Sequence, residues 1–253
     1  MTVPKPIVIL LILFLLPYAS QAQKYTTSDF VETQVPKPNS EEWQQFFHGD
    51  IYKVSIRKHK LRIEYWSSLD RDSVVKVITD RGRIVGVDNG EWGGVLKFVD
   101  DANNETVIKT GNIRLLFEYE KNDYFIETGS GVFSKEDLSF SGEGTLFKLV
   151  LKDDAYDYVK VIHFDDSPEE MCMLNGDILV VSRNCLYRIH NLQKETILDL
   201  HKEGIFKNAP YDDVGFTSIA VLDEQHVYAG IDGGYLQFDL TNKSYKYYKF
   251  KRQ

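Results

Sequence analysis

The chain has 253 residues, with 30 Lys and Arg against 38 Asp and Glu and a formal charge of −8. That acidity repels phosphate backbones and excludes nucleic acid as the main partner. Only two cysteines occur, Cys172 and Cys185, so no disulfide framework organises the fold and its stability must come from a packed core.

Residues 1–22 read as a cleaved secretory leader. Lys5 supplies the positive start, Ile7 to Leu16 is an apolar run of ten, and Ser20-Gln21-Ala22 places small residues before a cut. Ten apolar residues are too few to span a bilayer, and no later run approaches that length. The expectation is a secreted or periplasmic protein with no integral membrane segment after cleavage. The "QAQ" junction resembles those of secreted proteins from Bacteroidetes-type bacteria. Removing a leader with one basic residue and no acid takes the charge from −8 to −9.

Residues 23–48 are polar, carry Pro36 and Pro38, and read as an N-terminal arm or linker. Trp43 to Phe47 has room for one helical turn. The remainder, 49–253, is expected to be one all-β domain. Tyr, Val, Ile and Phe alternate with polar residues in short runs broken by Gly, Asn and Asp. Within it "MCMLNGDILVVSRNCLYRI" reads as three strands, which puts Cys172 and Cys185 on the first and third. Strands two steps apart lie roughly 9.6 Å apart, beyond the roughly 7 Å Cα limit for a disulfide, so two free thiols are expected.

The strands repeat. "VYAGIDGGYLQFDL", Val227 to Leu240, is an apolar strand, a Gly-Gly turn and a Leu-x-Phe strand. "RIVGVDNGEWGGVLKFVD" aligns Gly86-Val87-Asp88 with Gly230-Ile231-Asp232, and Leu96 with Leu236. Further copies place Phe147 and Tyr187 at that position, and a weaker copy without glycine places Leu61 there. The five anchors are 35, 51, 40 and 49 residues apart, near the period of a four-stranded propeller blade. Each hairpin is expected to follow two further strands, and the 35-residue gap has room for only one, Ser73 to Thr79. "SYKYYKF" at the end is left to pair with N-terminal strands. The fold expected is a β-propeller of five four-stranded blades, closed by pairing of N- and C-terminal strands. The alternative is an irregular β-sandwich.

The run from Tyr228 to Asp239 resembles the propeller repeats of extracytoplasmic sensor regions of bacterial regulators, whose blades end in a Trp/Tyr-x-Gly-Thr-x-x-Gly-Gly-Leu-x-Arg-Phe/Tyr-Asp kind of pattern. The resemblance implies the fold. The chain carries no kinase or DNA-binding segment, so the sensor role does not follow.

No nucleophile elbow, phosphate loop, dinucleotide fingerprint or zinc-protease motif is present, and no cofactor or metal site is expected. Asp100 to Glu105, "DDANNE", gathers oxygen ligands but lacks the spacing of a calcium loop. Asp88, Glu127 and Asp232 sit near equivalent hairpin turns, where turn chemistry explains acidic residues. Trp92 interrupts a glycine turn and is a candidate to project toward a partner or a sugar ring. These four residues are the candidate binding site. The function expected is non-enzymatic recognition of a protein, peptide or glycan. The alternative is a carbohydrate hydrolase with carboxylates in the central channel.

Overall fold

In a computed structural model, the structure describes residues 24–37, 40–43, 50–66, 73–129, 132–133, 140–200, 202 and 215–251. The predicted leader and the helical turn beyond Trp43 lie outside the described residues. The fold is all-β and every strand pairing is antiparallel. Two short strands come first, β1 (Lys24–Tyr25) and β2 (Phe30–Thr33). Next come β3 (Ile51–Arg57) and β4 (Lys60–Trp66), and the first sheet has the order β1-β4-β3.

Three four-stranded sheets follow in chain order. The second holds β5 (Val74–Thr79), β6 (Gly82–Asp88), β7 (Gly94–Asp100) and β8 (Glu105–Thr110). The third begins with β9 (Asn112–Tyr119) and β10 (Asn122–Thr128). A small pair, β11 (Val132–Phe133) and β12 (Phe140–Ser141), interrupts it before β13 (Gly144–Lys152) and β14 (Ala155–Phe164). The fourth holds β15 (Pro168–Leu174), β16 (Asp177–Ser182), β17 (Cys185–His190) and β18 (Gln193–Asp199). The fifth holds β19 (Ser218–Val221), β20 (His226–Ile231), β21 (Gly234–Asp239) and β22 (Ser244–Phe250), with β2 added on the outside of β22.

The repeated hairpins are β6–β7, β10–β13, β16–β17 and β20–β21. Each occupies the middle of its sheet, with one strand before it and one after. The expectation of two strands before each hairpin was therefore out of phase by one. Leu96, Phe147, Tyr187 and Leu236 all lie on third strands, whereas Leu61 lies on the second strand of the first sheet. That displaced anchor accounts for the short gap.

The repeated glycine has a packing reason. A Cβ on Gly86 would come within 2.4 Å of Ile113 on β9, and one on Gly230 within 2.2 Å of the Tyr52 carbonyl on β3. Each glycine lets the inner strand of the neighbouring sheet cross close above it. Cys172 on β15 and Cys185 on β17 are separated by β16 and are free. Burial pushes their thiols up to about 12 and about 11.

Among the described residues, four hydrophobic cores join the five sheets. One lies between the second and third (Ile84, Leu96, Ile113, Phe125) and one between the third and fourth (Ile126, Leu146, Ile178, Tyr187). A third lies between the fourth and fifth (Leu179, Leu186, Val227, Leu236) and includes Trp43 of the arm. The last lies between the fifth and first (Tyr52, Ile63, Tyr228, Tyr235). Innermost strands pack in the same succession, β5 on β9, β9 on β15, β15 on β19 and β19 on β3. Among the described residues, no core of this kind lies between the first and second sheets.

The arm ties the ends together. β1 pairs with β4 of the first sheet and β2 with β22 of the last, so residues 26–29 cross between them. Phe30 is 4% exposed and makes edge contacts with Tyr25, Tyr52, Tyr235 and Phe250, at centroid distances of 5.1 to 6.2 Å. Phe30→Ala is expected to lower the unfolding free energy by about 3–5 kcal/mol. Urea unfolding followed by tryptophan fluorescence measures it, and an unchanged midpoint would show that the arm adds nothing to the folded unit.

Candidate functional site at the sheet ends

The inner strands of all five sheets begin at one end of the molecule, and a cavity of about 470 Å³ opens there. Every sheet contributes to its lining: Ile51, Lys53 and Trp66 from the first, Val75 from the second, and Arg114 from the third. Glu169, Glu170 and Arg183 come from the fourth and its β16–β17 turn, and Thr217 and Asp232 from the fifth.

Hydrogen bonds and ion pairs hold several of these charges. The Arg114 Nε donates to the Glu169 carbonyl at 3.1 Å, and its guanidinium lies 3.7 Å from Asp88. The Glu169 carboxylate accepts from the Phe216 backbone N–H at 2.5 Å and faces Arg183 at 4.0 Å. Lys53 sits 4.7 Å above the Trp66 ring, a cation–π contact. The Trp66 indole N–H is buried and finds no acceptor among the described residues. A buried donor without a partner is uncommon and marks a place where a ligand or water oxygen would be welcome.

The four predicted residues fall in different surroundings. Asp88 is a turn residue, since its carboxylate accepts from the Gly90 N–H at 2.9 Å, and it also anchors Arg114. Glu127 lies outside the cavity lining and is bound to Lys109 at 2.9 Å, with both side chains largely buried. Trp92 is 90% exposed at the end of the short 3-10 turn Gly90–Trp92. Asn112 pins that turn to the start of β9 by donating to the Gly90 carbonyl at 2.7 Å.

Asp232 differs from Asp88 despite their alignment. The hairpin tip pairs with the start of β3 through Ile51, and the Gly233 N–H donates to the Asp50 carbonyl at 2.8 Å. Among the described residues, no donor or cation reaches the Asp232 carboxyl. Burial, with Glu169 adding repulsion, raises its pKa to about 7. The cavity thus holds one carboxyl poised near neutrality beside the engaged carboxylate of Glu169.

Another carboxylate near this end is fully engaged. Asp166 is buried and accepts from the hydroxyls of Ser182 and Tyr187 and from the Asn184 N–H. It holds the β16–β17 turn and leaves little free for a ligand. Sequence reasoning did not single out Lys53, Trp66, Arg114, Glu169, Glu170 and Arg183. Four of them, Lys53, Arg114, Glu169 and Glu170, stand at or near the starts of inner strands, and that position was the available signal. Among the described residues, no group of three His, Cys, Asp or Glu is placed to hold a metal ion.

A carboxyl whose pKa is higher in the folded chain binds its proton more tightly there. The stability Asp232 contributes is therefore full below about pH 3.8 and lost as pH rises to about 7. Asp232→Asn removes this dependence. The free-energy gap between variant and parent should move in the variant's favour by on the order of 2–4 kcal/mol from pH 3.5 to pH 8. Urea titrations of both proteins across that range measure the gap, and a constant gap would place Asp232 in free contact with water.

Comparison with known protein families and with curated proteins gives no match.

Proposed function

We propose that the chain is an exported recognition module, a five-bladed β-propeller that binds a glycan or peptide at the mouth of its central channel. The single observation that carries this reading is the cavity lined from all five sheets, a convergence that a two-sheet sandwich does not produce. The ordered packing of innermost strands supports the propeller, as does the pairing of β2 with β22. The lining mixes Lys and Arg with carboxyls and an indole N–H, which suits a ligand rich in hydroxyl and amide groups. Exposed Trp92 on the same end offers a flat apolar face for a sugar ring or an aromatic side chain.

A second reading, hydrolysis of a glycosidic bond, is favoured by one observation. Asp232 is held near neutrality and so is able to donate a proton, while Glu169 and Glu170 line the same cavity. Against it, the Glu169 carboxylate is engaged by the Phe216 N–H and by Arg183.

Labelled mature protein applied to arrays of glycans and of envelope-derived peptides tests the first reading. Trp92→Ala should weaken binding of the captured ligand at least tenfold with an unchanged melting temperature, and Asp232→Asn should weaken it as much at a pH where both proteins are fully folded. Unaltered affinity in both variants would remove the mouth as the site. Release of aryl alcohol from aryl glycosides that disappears with Asp232→Asn would establish the hydrolase instead.

A further inference from the structure

A second concavity, of about 680 Å³, lies on the first sheet around β1, the β3–β4 turn and the outer part of β4. Five cations line it: Lys24, Arg57, Lys58, Lys60 and Arg62. No acid is among its lining residues, although the whole chain carries −8. Elsewhere cations are commonly paired, as with Arg81, Lys97, Lys109, Lys194 and Lys246. None of these five makes an ion pair among the described residues.

Strand alternation explains how they gather. Tyr52, Val54 and Ile63 are buried against the last sheet. Residues of opposite parity, Lys53, Arg57, Lys60 and Arg62, therefore share the other face. Arg57 and Lys60 are direct cross-strand partners, and Lys60 and Arg62 are two residues apart. Like charges this close repel one another, which costs stability unless a counter-charge is supplied. Among the described residues, Glu64 is the one acid on that face; it stands in register with Lys24 and Lys53 without an ion pair to either. No hydrophobic core uses this face among the described residues, so its cations are not the rim of a packed interface.

We propose that this groove binds a linear acidic polysaccharide, with carboxylate or sulfate groups on the five cations. Charge complementarity sets the sign of the ligand. Tyr25 and Leu61, partly buried against the core shared with the last sheet, border the groove, and Thr26 and Thr27 add hydroxyls. A nucleic-acid duplex or an anionic membrane extends past the groove and meets the acidic remainder of the chain. An acidic peptide adding as a strand is obstructed, because β1 already covers β4 at Ile63 and Glu64.

The test is calorimetric titration of the mature protein with a heparin-derived hexasaccharide at low salt. The result expected is saturable binding that weakens at least tenfold in Arg57→Glu/Lys60→Glu. Lys152→Glu/Lys160→Glu makes the same charge change on exposed residues of the third sheet and should alter affinity less than twofold. Should the first pair fail to fold, Arg57→Gln/Lys60→Gln is read in its place, with a loss of at least threefold expected. Equal loss in the two pairs of reversals, equal affinity for hexaglutamate, or no saturable binding would each overturn the proposal.

Discussion

The aromatic contact between the chain's beginning and its end is the interaction the rest of the architecture depends on. Tyr25 and Phe30 of the arm close with Tyr52 of β3 and with Tyr235 and Phe250 of the last sheet. Sheets two to five follow one another along the chain and pack in that order. The first sheet is different, for it joins the last one across the full length of the sequence. Edge-to-face pairs of this kind add about 0.5–1.5 kcal/mol each beyond their buried area. β1 and β2, four residues apart, give the two sheets a shared strand segment, which adds directional hydrogen bonds to the aromatic packing. Without this joint, Lys53 and Trp66 would not stand at the cavity.

The joint also demands a close backbone approach. The Thr217 hydroxyl donates to the Tyr52 carbonyl, and the Val54 N–H donates to the Ser218 hydroxyl at 2.7 Å. Both bonds cross from β3 to the start of the last sheet, over Gly230. Gly86 performs the same service where β9 crosses the second sheet. The contact between the ends of the chain is thus built on the same plan as a contact between neighbours in sequence.

Much of the fold was legible because its signals are local. Period-two alternation marked the strands, and the repeated Gly-x-Asp and Leu-x-Phe marked corresponding hairpins. Gly86 and Gly230 entered that reading only as aligned positions of the repeat, and their reason is the next sheet crossing above them. The phase of the repeat was misread for a related cause: a hairpin does not say which of its strands lies inward. Asp88 and Asp232 align in sequence, yet one caps its own turn and the other is buried at the joint between the first and last sheets. The environment of Asp232 comes from Ile51 and Glu169, residues 181 and 63 positions away, and no local pattern encodes that. Arg114 and Glu169 were missed for the same reason, since each becomes a site residue only when inner strands converge.

The first sheet carries two incompatible faces, and this decides what its free side can do. Its sequence, "YKVSIRKHKLRIEY", alternates Tyr52, Val54 and Ile56 with Lys53, Ser55 and Arg57, then Leu61 and Ile63 with Lys60, Arg62 and Glu64. One set builds the aromatic joint. The other cannot enter a dry core, because burying several unpaired cations costs far more than the apolar contacts around them return. The neighbouring second sheet turns Val74 and Ile78 outward, half or more exposed. The side of the first sheet left outside the cores is therefore hydrated or satisfied by anions. Filling it with apolar residues would be the route to a fifth core, at the loss of every cation in the groove. The weak glycine-free repeat and the cationic groove have one cause: this sheet's alternate positions serve charge where its relatives' serve packing.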